Sequence, residues 1–332
     1  MSAGSIELVC PAGSPAMLRA AVEAGADSVY CGLRDDTNAR NFPGLNFSPA
    51  ELADSVLWAH DRGARVLLAV NTFARAGASD RWRKSIDAAA GTGADAVIVA
   101  DLGVLAHARE AWPDLRLHLS VQAAAGSPEA IAFYARAYGV KRVVLPRVLS
   151  VEEIAALMRE IEVETEAFVY GGLCVMAEGR CALSSYATGR SPNLDGVCSP
   201  PEAVTYTEEE GGMVSRLGGL ALDRYAPGEP AGYPTLCKGR FAVDGALSYL
   251  FEDPVSLNAM SLLAALRRAG VTAVKVEGRQ RGKAYVARVA AAFRAAIDAM
   301  DQGEDPARFE PLLADLAEGG RQTAGAYRKT WR

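Results

Sequence analysis

The chain has 332 residues, of which 50% are hydrophobic and 23% are charged, and its formal net charge is −5. This composition is typical of a globular protein with a full apolar core, and it excludes disorder as the main state. The acidic balance argues against broad binding to nucleic acids or anionic membranes. No apolar run approaches the roughly 18 residues of a membrane span, and the first residues lack the features of a secretory signal. We therefore expect a cytoplasmic protein, whose six cysteines are thiols or metal ligands rather than disulfides.

A short pattern recurs along the chain: a helical segment ends at a glycine, and a β-branched run follows after two or three residues. It occurs at Gly25, Gly63, Gly93, Gly139 and Gly270. Glycine ends helices because it adopts left-handed dihedral angles at no steric cost. Helix starts are marked by Ser-Pro pairs at 14–15, 48–49 and 127–128, where the serine can cap the first turn. Strands and helices that alternate with short connections predict a parallel sheet.

Eight strands and eight helices are predicted in alternation. The strands lie at about 6–10, 28–32, 65–71, 95–100, 115–121, 141–146, 164–170 and 273–277. The helices lie near 14–24, 49–62, 79–92, 103–112, 127–138, 150–161, 256–269 and 283–301. Eight such units favour a (β/α)8 TIM-like barrel over the alternative, an open doubly wound sheet.

The predicted barrel is interrupted once. No clean helix follows strand seven until residue 256, so we expect a subdomain over 171–255, inserted after that strand, with the barrel at 1–170 and 256–304. Residues 305–332 are predicted to form a C-terminal helix and tail that packs on the barrel or on a partner. Loops that follow strands form the active-site face of such barrels, which makes the insertion the first place to look for chemistry.

Charged side chains alternate with apolar ones in several strands. If the apolar rows face the helices, polar residues lie inside the barrel and at its mouth. The candidate substrate-binding residues are Glu7, Asn71, Gln122, Arg147, Lys275, Glu277 and Arg279, and Asp101 lies at another strand end. Arginine and lysine in this setting indicate a site for a small carboxylate anion. The alternative is a purely structural network in which Glu7 and Glu277 pair with Lys275 and Arg279.

The three histidines do not indicate a metal site or a catalytic site. None of the three has the spacing of zinc ligands, and we interpret His118 on strand five as a structural residue. No nucleophile elbow or phosphate-binding loop is present either, so no catalytic residue is assigned.

Four of the six cysteines lie in the predicted insertion, at positions 174, 181, 198 and 237. Their spacing matches neither a zinc knuckle nor a ferredoxin motif. Their number fits a tetrahedral zinc ion or a [4Fe–4S] cluster, and thiolates spread over irregular loops suit the cluster slightly better. Unrelated buried thiols are the alternative. Cys10 and Cys31, which end strands one and two, are expected to be small buried apolar residues.

The sequence around Cys174 and Cys181 forms a distinctive motif. Residues 166–184 read Glu-x-Phe-x-x-Gly, a small residue, an aliphatic residue and Cys, then after four residues Gly-x-Cys-x-Leu-Ser. This segment resembles the signature of the collagenase-like peptidase family, family U32, with Gly172 where the family has serine or alanine. Further resemblances cover nearly the whole chain, at 7–13, 35–40, 44–47, 71–73, 120–122, 144–147, 231–240 and 275–279.

The resemblance implies a cofactor and its ligands. By position, Cys174, Cys181, Cys198 and Cys237 correspond to the four cysteines that hold a [4Fe–4S] cluster in this family. Segments 35–40, 184–189 and 232–239 resemble most closely the branch that acts in ubiquinone biosynthesis. There, two homologous subunits form a heterodimer that hydroxylates a ubiquinone precursor without oxygen and takes the oxygen atom from prephenate. A lipid carrier for the precursor is compatible with this role, and no nucleic-acid partner is expected.

Two other functions stay open. Some relatives hydroxylate RNA bases, which requires a positive surface such as a local patch of Arg267, Arg268, Arg279, Arg281 and Lys283. The other is a subunit stapled by zinc that docks a partner and does no chemistry. Despite the family name, no protease constellation is present in the sequence.

Overall fold

The structure, a computed structural model, describes residues 5–176, 178–179, 181–192, 198–249, 251–317 and 320–328. Its centre is a closed barrel of eight parallel strands in chain order, and the last of them pairs with both the first and the seventh. The strands are β1 (Glu7–Pro11), β2 (Ser28–Cys31), β3 (Arg65–Val70), β4 (Ala96–Val99), β5 (Leu117–Leu119), β6 (Arg142–Val144), β7 (Glu164–Gly172) and β14 (Ala273–Val276). The predicted (β/α)8 barrel is therefore confirmed, and the open sheet is excluded.

Helices surround the barrel, and three of them begin where the Ser-Pro pairs predict. They are α1 (Pro15–Glu23), α2 (Pro49–His60), α3 (Asp80–Gly91), α4 (Leu102–Ala111), α5 (Pro128–Tyr138), α6 (Val151–Leu157), α8 (Leu263–Arg268) and α9 (Lys283–Asp301). Ser14, Ser48 and Ser127 each accept a hydrogen bond from a backbone N–H of the first turn. Gly139 ends α5 with φ +72°, the left-handed conformation in which glycine is unstrained.

The seventh predicted helix is shorter than its pattern suggests. Residues Ser256–Asn258 form strand β13, which runs antiparallel to the end of β7, and α8 begins only at Leu263. Asn258 Oδ1 accepts a hydrogen bond from the Met260 N–H at 3.0 Å. This local bond favours a turn over a helix, and the apolar spacing of the segment does not reveal it.

The insertion after β7 is built mainly from small antiparallel sheets. Strands β8 (Val204–Glu209), β9 (Gly212–Leu217) and β10 (Leu220–Tyr225) form one sheet, and β11 (Arg240–Val243) and β12 (Ala246–Tyr249) form a hairpin. A short helix, α7 (Leu183–Thr188), precedes them. The stretch from Leu173 to Cys181 has no helix or strand among its described residues.

The C-terminal segment packs on the barrel. A 3-10 helix spans Pro306–Leu316, and β15 (Gln322–Thr323) pairs with β13. The Tyr170 hydroxyl donates to the Leu313 carbonyl at 3.2 Å, and the Tyr327 hydroxyl donates to the Phe168 carbonyl at 2.6 Å. Across the described residues, no helix is both long enough and apolar enough to span a membrane.

The barrel interior is layered. The apolar rows of the strands face the helices in one large core, which contains Cys10 and Cys31 as predicted. A smaller apolar layer fills the middle of the barrel and consists of Val9, Tyr30, Leu67, Ala96, Ile98 and Ala273. Charged side chains lie on both sides of this layer. The two charged layers therefore occupy opposite ends of the barrel, and only one end lies on the face that carries the loops after the strands.

Candidate functional site

Four charged side chains meet at the carboxyl-terminal end of the barrel, and we call them the mouth network: Arg40, Arg147, Glu178 and Glu277. Glu277 follows β14 and accepts hydrogen bonds from Arg40 Nη2 at 2.6 Å and from Arg147 Nη2 at 2.7 Å. Arg147 Nη1 donates to Glu178 Oε1. Burial works against ionisation of Glu277, but Arg147 and Arg40 outweigh it and lower its pKa to about 2. Glu277 is therefore a fixed negative charge between two arginines.

Arg147 is the centre of this network. Its guanidinium carbon lies 3.6 Å from the centroid of the Phe168 ring, so the cation stacks on an aromatic face. The side chains of Arg147 and Glu178 are only 6% and 5% exposed. Burial raises the pKa of Glu178 even though Arg147 opposes the shift. Arg147 Nε and Glu178 Oε2 have no hydrogen-bond partner among the described residues, so the network has unused polar atoms.

Arg279 lies beside the mouth network and is 3% exposed. Its Nη1 donates to Asn38 Oδ1 at 3.1 Å, and its Nε has no partner among the described residues. Within that part of the chain, no carboxylate lies within 4.0 Å of its guanidinium. Burial lowers its pKa to about 10, which leaves it charged at neutral pH. A buried cation without a counter-ion is costly, so Arg279 is the candidate anion-binding group of the mouth.

Asn71 and Gln122 hold loops at this end of the barrel. Asn71 Oδ1 accepts a hydrogen bond from the Ala39 N–H at 2.9 Å and so fixes the segment that carries Asn38 and Arg40. Asp101 caps α4 through the Val104 N–H at 3.0 Å.

Gln122 contacts the insertion through its backbone. A Cβ on Gly179, whose φ is +74°, would lie 1.9 Å from the Gln122 carbonyl oxygen. Only glycine allows that close approach.

Two predicted site residues lie elsewhere. Glu7 is at the amino-terminal end of the barrel, where it pairs with Arg142 Nη2 at 2.6 Å and Arg65 Nη2 at 2.9 Å. Lys275 Nζ is 2.6 Å from Glu166 Oε1 and 3.7 Å from the centroid of the Tyr30 ring. The structure thus brings Asn71, Gln122, Arg147, Glu277 and Arg279 to the mouth, and it places Glu7 and Lys275 with other partners.

The structural network that the sequence predicts as an alternative has the wrong pairs. Neither Glu7 nor Glu277 pairs with Lys275 or Arg279 among the described residues, because Arg142, Arg65, Arg40 and Arg147 occupy those carboxylates. Arg142 also contacts Glu164 and Glu166, at 2.7 and 3.4 Å. Arg142, Glu164 and Glu166 were not among the predicted site residues, although the spacing of Glu164 and Glu166 puts both on one face of the predicted strand 164–170.

His118 belongs to the same interior layer. It is 2% exposed, and Arg116 Nε donates to its Nε2 at 3.1 Å. Burial, together with Arg142 and Arg116, lowers its pKa well below the ordinary value, so the imidazole is neutral. Its Nδ1 has no partner among the described residues. This setting agrees with the interpretation of His118 as a structural residue.

The four cysteines of the insertion gather beside the mouth network. None of the four forms a disulfide bond with another described residue. The thiol group of Cys237 is close enough to those of Cys174, Cys181 and Cys198 for their charges to interact. The thiol groups of Cys181 and Cys198 interact in the same way. Cys174 interacts in the same way with Arg147, and Cys198 with Arg40. Burial raises the pKa of Cys174 to about 12, so its thiol is protonated at neutral pH.

The donor set fits a metal centre by its chemistry. Four thiols from separate segments converge on one side of the barrel mouth, and four thiolates are the ligand set of a zinc ion or a [4Fe–4S] cluster. In the present arrangement, and within the described residues, no three histidine, cysteine or acidic side chains are close enough to bind one metal ion together. Ligation therefore requires the thiols to close in, which agrees with their position on irregular loops.

Comparison with known proteins gives the family. The model of Peptidase family U32 matches residues 13–326. The chain belongs to peptidase family U32. It is 31% identical over 316 residues to an uncharacterized protease of Methanocaldococcus jannaschii, covering 94% of this chain and 70% of the relative. The family resemblance drawn from the cysteine signature is thereby confirmed.

Two Escherichia coli relatives of this U32 chain have names that state a function. One is tRNA hydroxylation protein P, 31% identical over 334 residues that cover 94% of this chain and 72% of the relative. The other is 23S rRNA 5-hydroxycytidine C2501 synthase, 30% identical over 305 residues that cover 90% of this chain and 40% of the relative. Hydroxylation is therefore the chemistry that the names of these relatives share.

Proposed function

We propose that this chain is the iron–sulfur subunit of an oxygen-independent hydroxylase. Cys174, Cys181, Cys198 and Cys237 would hold a [4Fe–4S] cluster at the barrel mouth. One observation carries the proposal: Cys237 interacts with the other three thiols, and Cys174 and Cys198 interact with Arg147 and Arg40 of the mouth network. The proposed redox centre would thus lie next to the proposed anion site. The hydroxylation chemistry of the named relatives supports the same reaction class.

Each side chain of the mouth has a distinct role in this proposal. When bound, the cluster supplies electron transfer. Arg279, whose charge has no carboxylate partner among the described residues, binds a substrate carboxylate, and Asn38 Oδ1 holds the Arg279 guanidinium in place. Glu277 keeps Arg40 and Arg147 at the rim of the same site. Lys275 and Glu7 are held by other partners, so their role is in the stability of the barrel interior.

For the substrate, we propose a ubiquinone precursor, with prephenate as the oxygen donor. The support is the resemblance of segments 35–40, 184–189 and 232–239 to UbiU, which works as a heterodimer with the homologous subunit UbiV. Segment 35–40 supplies Asn38 and Arg40 to the mouth, so the part of the sequence that resembles this branch also forms part of the site. Two carboxylates on prephenate match an arginine-rich mouth.

The second candidate is hydroxylation of an RNA base, which the names of the relatives favour. The predicted basic patch gives it little support, because Arg279 is buried and Arg267 pairs with Asp301. Arg268, Arg281 and Lys283 are exposed. Three exposed cations are fewer than the 6–10 or so phosphate contacts that give strong salt-dependent binding. The overall charge of −5 also opposes this function.

One experiment separates the candidates. The chain is produced without oxygen, alone and with a UbiV-like subunit, and is incubated with prephenate and either a ubiquinone precursor or unmodified transfer RNA. Mass spectrometry measures the gain of one oxygen atom. A hydroxylated quinone precursor, formed only with the partner subunit, supports the proposal. Hydroxylated RNA and salt-sensitive RNA binding would support the second candidate instead. Zinc in place of iron would support a non-catalytic, zinc-stapled subunit.

A further inference from the structure

An ion pair joins the described part of the cysteine loop, which we define as residues 174–181, to the barrel. Glu178 comes from this loop, and its Oε1 accepts a hydrogen bond from Arg147 Nη1. Both side chains are more than nine-tenths buried. The described residues of the loop form no helix or strand. The position of the loop therefore depends on contacts such as this pair rather than on a regular backbone hydrogen-bond pattern.

The barrel side of the pair is fixed without Glu178. Arg147 stacks on Phe168 of β7 at 3.6 Å and donates to Glu277, which follows β14, at 2.7 Å. Glu277 is held in turn by Arg40 at 2.6 Å. Three barrel elements thus position the Arg147 guanidinium. Arg147 is an anchor that is already in place, and Glu178 is the group of the loop that docks on it.

A second contact supports the same docking. Gly179 follows Glu178 and lies against the Gln122 carbonyl oxygen, where a Cβ would come within 1.9 Å. The Gln122 backbone belongs to the turn after β5. The loop therefore meets the barrel mouth at two points, one polar and one steric, and both lie between Cys174 and Cys181 in the sequence.

We propose that Glu178 is a positioning residue for the two thiols of the cysteine loop. Its bond to Arg147 docks the loop at the barrel mouth and orders Cys174 and Cys181 for ligation. The identity of the ligated group rests on the proposed function, whereas the docking itself does not. Because Arg147 also contacts Glu277, the same pair ties the geometry of the cysteine ligands to the rim of the anion site.

The test measures how accessible each thiol is in the metal-free protein. The full chain is treated anaerobically with an iron chelator and labelled with iodoacetamide, and mass spectrometry gives the labelling rate of each cysteine. In Glu178→Leu, which cannot accept the Arg147 hydrogen bond, we expect Cys174 and Cys181 to be labelled roughly tenfold faster. Glu178→Gln keeps an acceptor oxygen and is expected to stay close to the unmodified protein. Asp315→Asn, which removes an exposed pair with Arg288, is the matched control.

Iron, sulfide and the rate of bleaching by the chelator are measured on the same variants before metal removal. We expect Glu178→Leu to lose iron faster than Glu178→Gln. If the unmodified protein contains no iron, the proposed function fails, and the labelling rates still decide the role of Glu178. Should Glu178→Leu not fold, Gly179→Ala tests the same docking through the Gln122 contact. Wild-type labelling of Cys174 and Cys181 in a folded Glu178→Leu or Gly179→Ala variant would overturn the proposal.

Discussion

Arg40 Nη2 lies 2.6 Å from Glu277 Oε1, although the two residues are 237 positions apart in the sequence. The fold explains this contact. Strands β2 and β14 both pair with β1, so the segments that follow them leave the barrel at the same end. The ion pair closes the segment that carries Asn38 and Arg40 over the mouth. The closed barrel therefore places the segments after β2 and β14 close enough to form the candidate site together.

The Arg40–Glu277 pair predicts a pH-dependent contribution to stability. The pKa of Glu277 is about 2 in the folded protein against an ordinary value of 4.5. A lowered carboxyl pKa stabilises the folded state above pH 4.5, and this contribution is lost as the pH falls from 4.5 toward 2. We expect Glu277→Gln to be less stable than the unmodified protein in urea at pH 7, with a difference that shrinks in acid. A pH-independent difference would contradict the account, and exposed Glu129→Gln on α5 is the control.

The interior pair of Glu166 and Lys275 predicts a large loss of stability. Glu166 is fully buried, and its Oε1 lies 2.6 Å from Lys275 Nζ. Glu166→Leu leaves the Lys275 ammonium buried without this partner and is expected to cost about 3–5 kcal/mol. The double variant Glu166→Leu with Lys275→Met should recover much of that loss. Urea unfolding of the single and double variants provides the measurement. A double variant no more stable than Glu166→Leu would show that the pair is not the cause.

A variant of Arg279 is expected to weaken substrate binding without affecting metal binding. Arg279→Gln removes the buried cation, and we expect the affinity for prephenate to fall roughly 10- to 100-fold, which corresponds to a charged hydrogen bond of about 1.5–3 kcal/mol. Iron content should not change, because Arg279 is not one of the four proposed ligands. Arg281→Gln, an exposed change two residues away, is the control. Unchanged prephenate binding in Arg279→Gln would place the anion site elsewhere.

Alanine variants of Cys181 and Cys31 test the ligand assignment, with Cys31 as the control. Cys181→Ala removes one of four proposed ligands, and we expect loss of the cluster and a more disordered insertion, because the group joins distant points of the chain. Cys31→Ala removes a buried thiol of the core and should keep full iron content. Iron and sulfide analysis with limited proteolysis checks both variants. Full iron content in Cys181→Ala would refute the assignment of this residue.

Much of the fold follows from local sequence signals. The glycine that ends a helix and the β-branched run behind it mark five of the eight barrel strands, and all eight are predicted to within about two residues at most ends. The predicted start of the seventh helix is wrong, because the Asn258 side chain accepts a backbone hydrogen bond that favours a turn at this point. Periodicity cannot detect such a bond. Local capping interactions can override the hydrophobic pattern over a few residues.

The candidate site was harder to predict than the fold. Strand alternation gives the face of a side chain but not its height in the barrel, so Glu7 was grouped with Glu277 although the structure places them at opposite ends. Arg40 and Glu178 lie on irregular loops, which carry no periodic signal. Only the resemblance at segments 35–40 and 166–184 drew attention to those loops. The pairing of Arg147 with two carboxylates is a tertiary property that no local pattern contains.

The most direct test of the account is the metal content of the protein purified without oxygen. An absorbance spectrum is combined with iron, acid-labile sulfide and zinc analysis on the same sample. The account predicts brown protein with about four irons and four sulfides per chain, the composition of a [4Fe–4S] cluster. Colourless protein with one zinc ion per chain would contradict it, because the four cysteines would then form a structural site and the proposed hydroxylase would lack its redox centre.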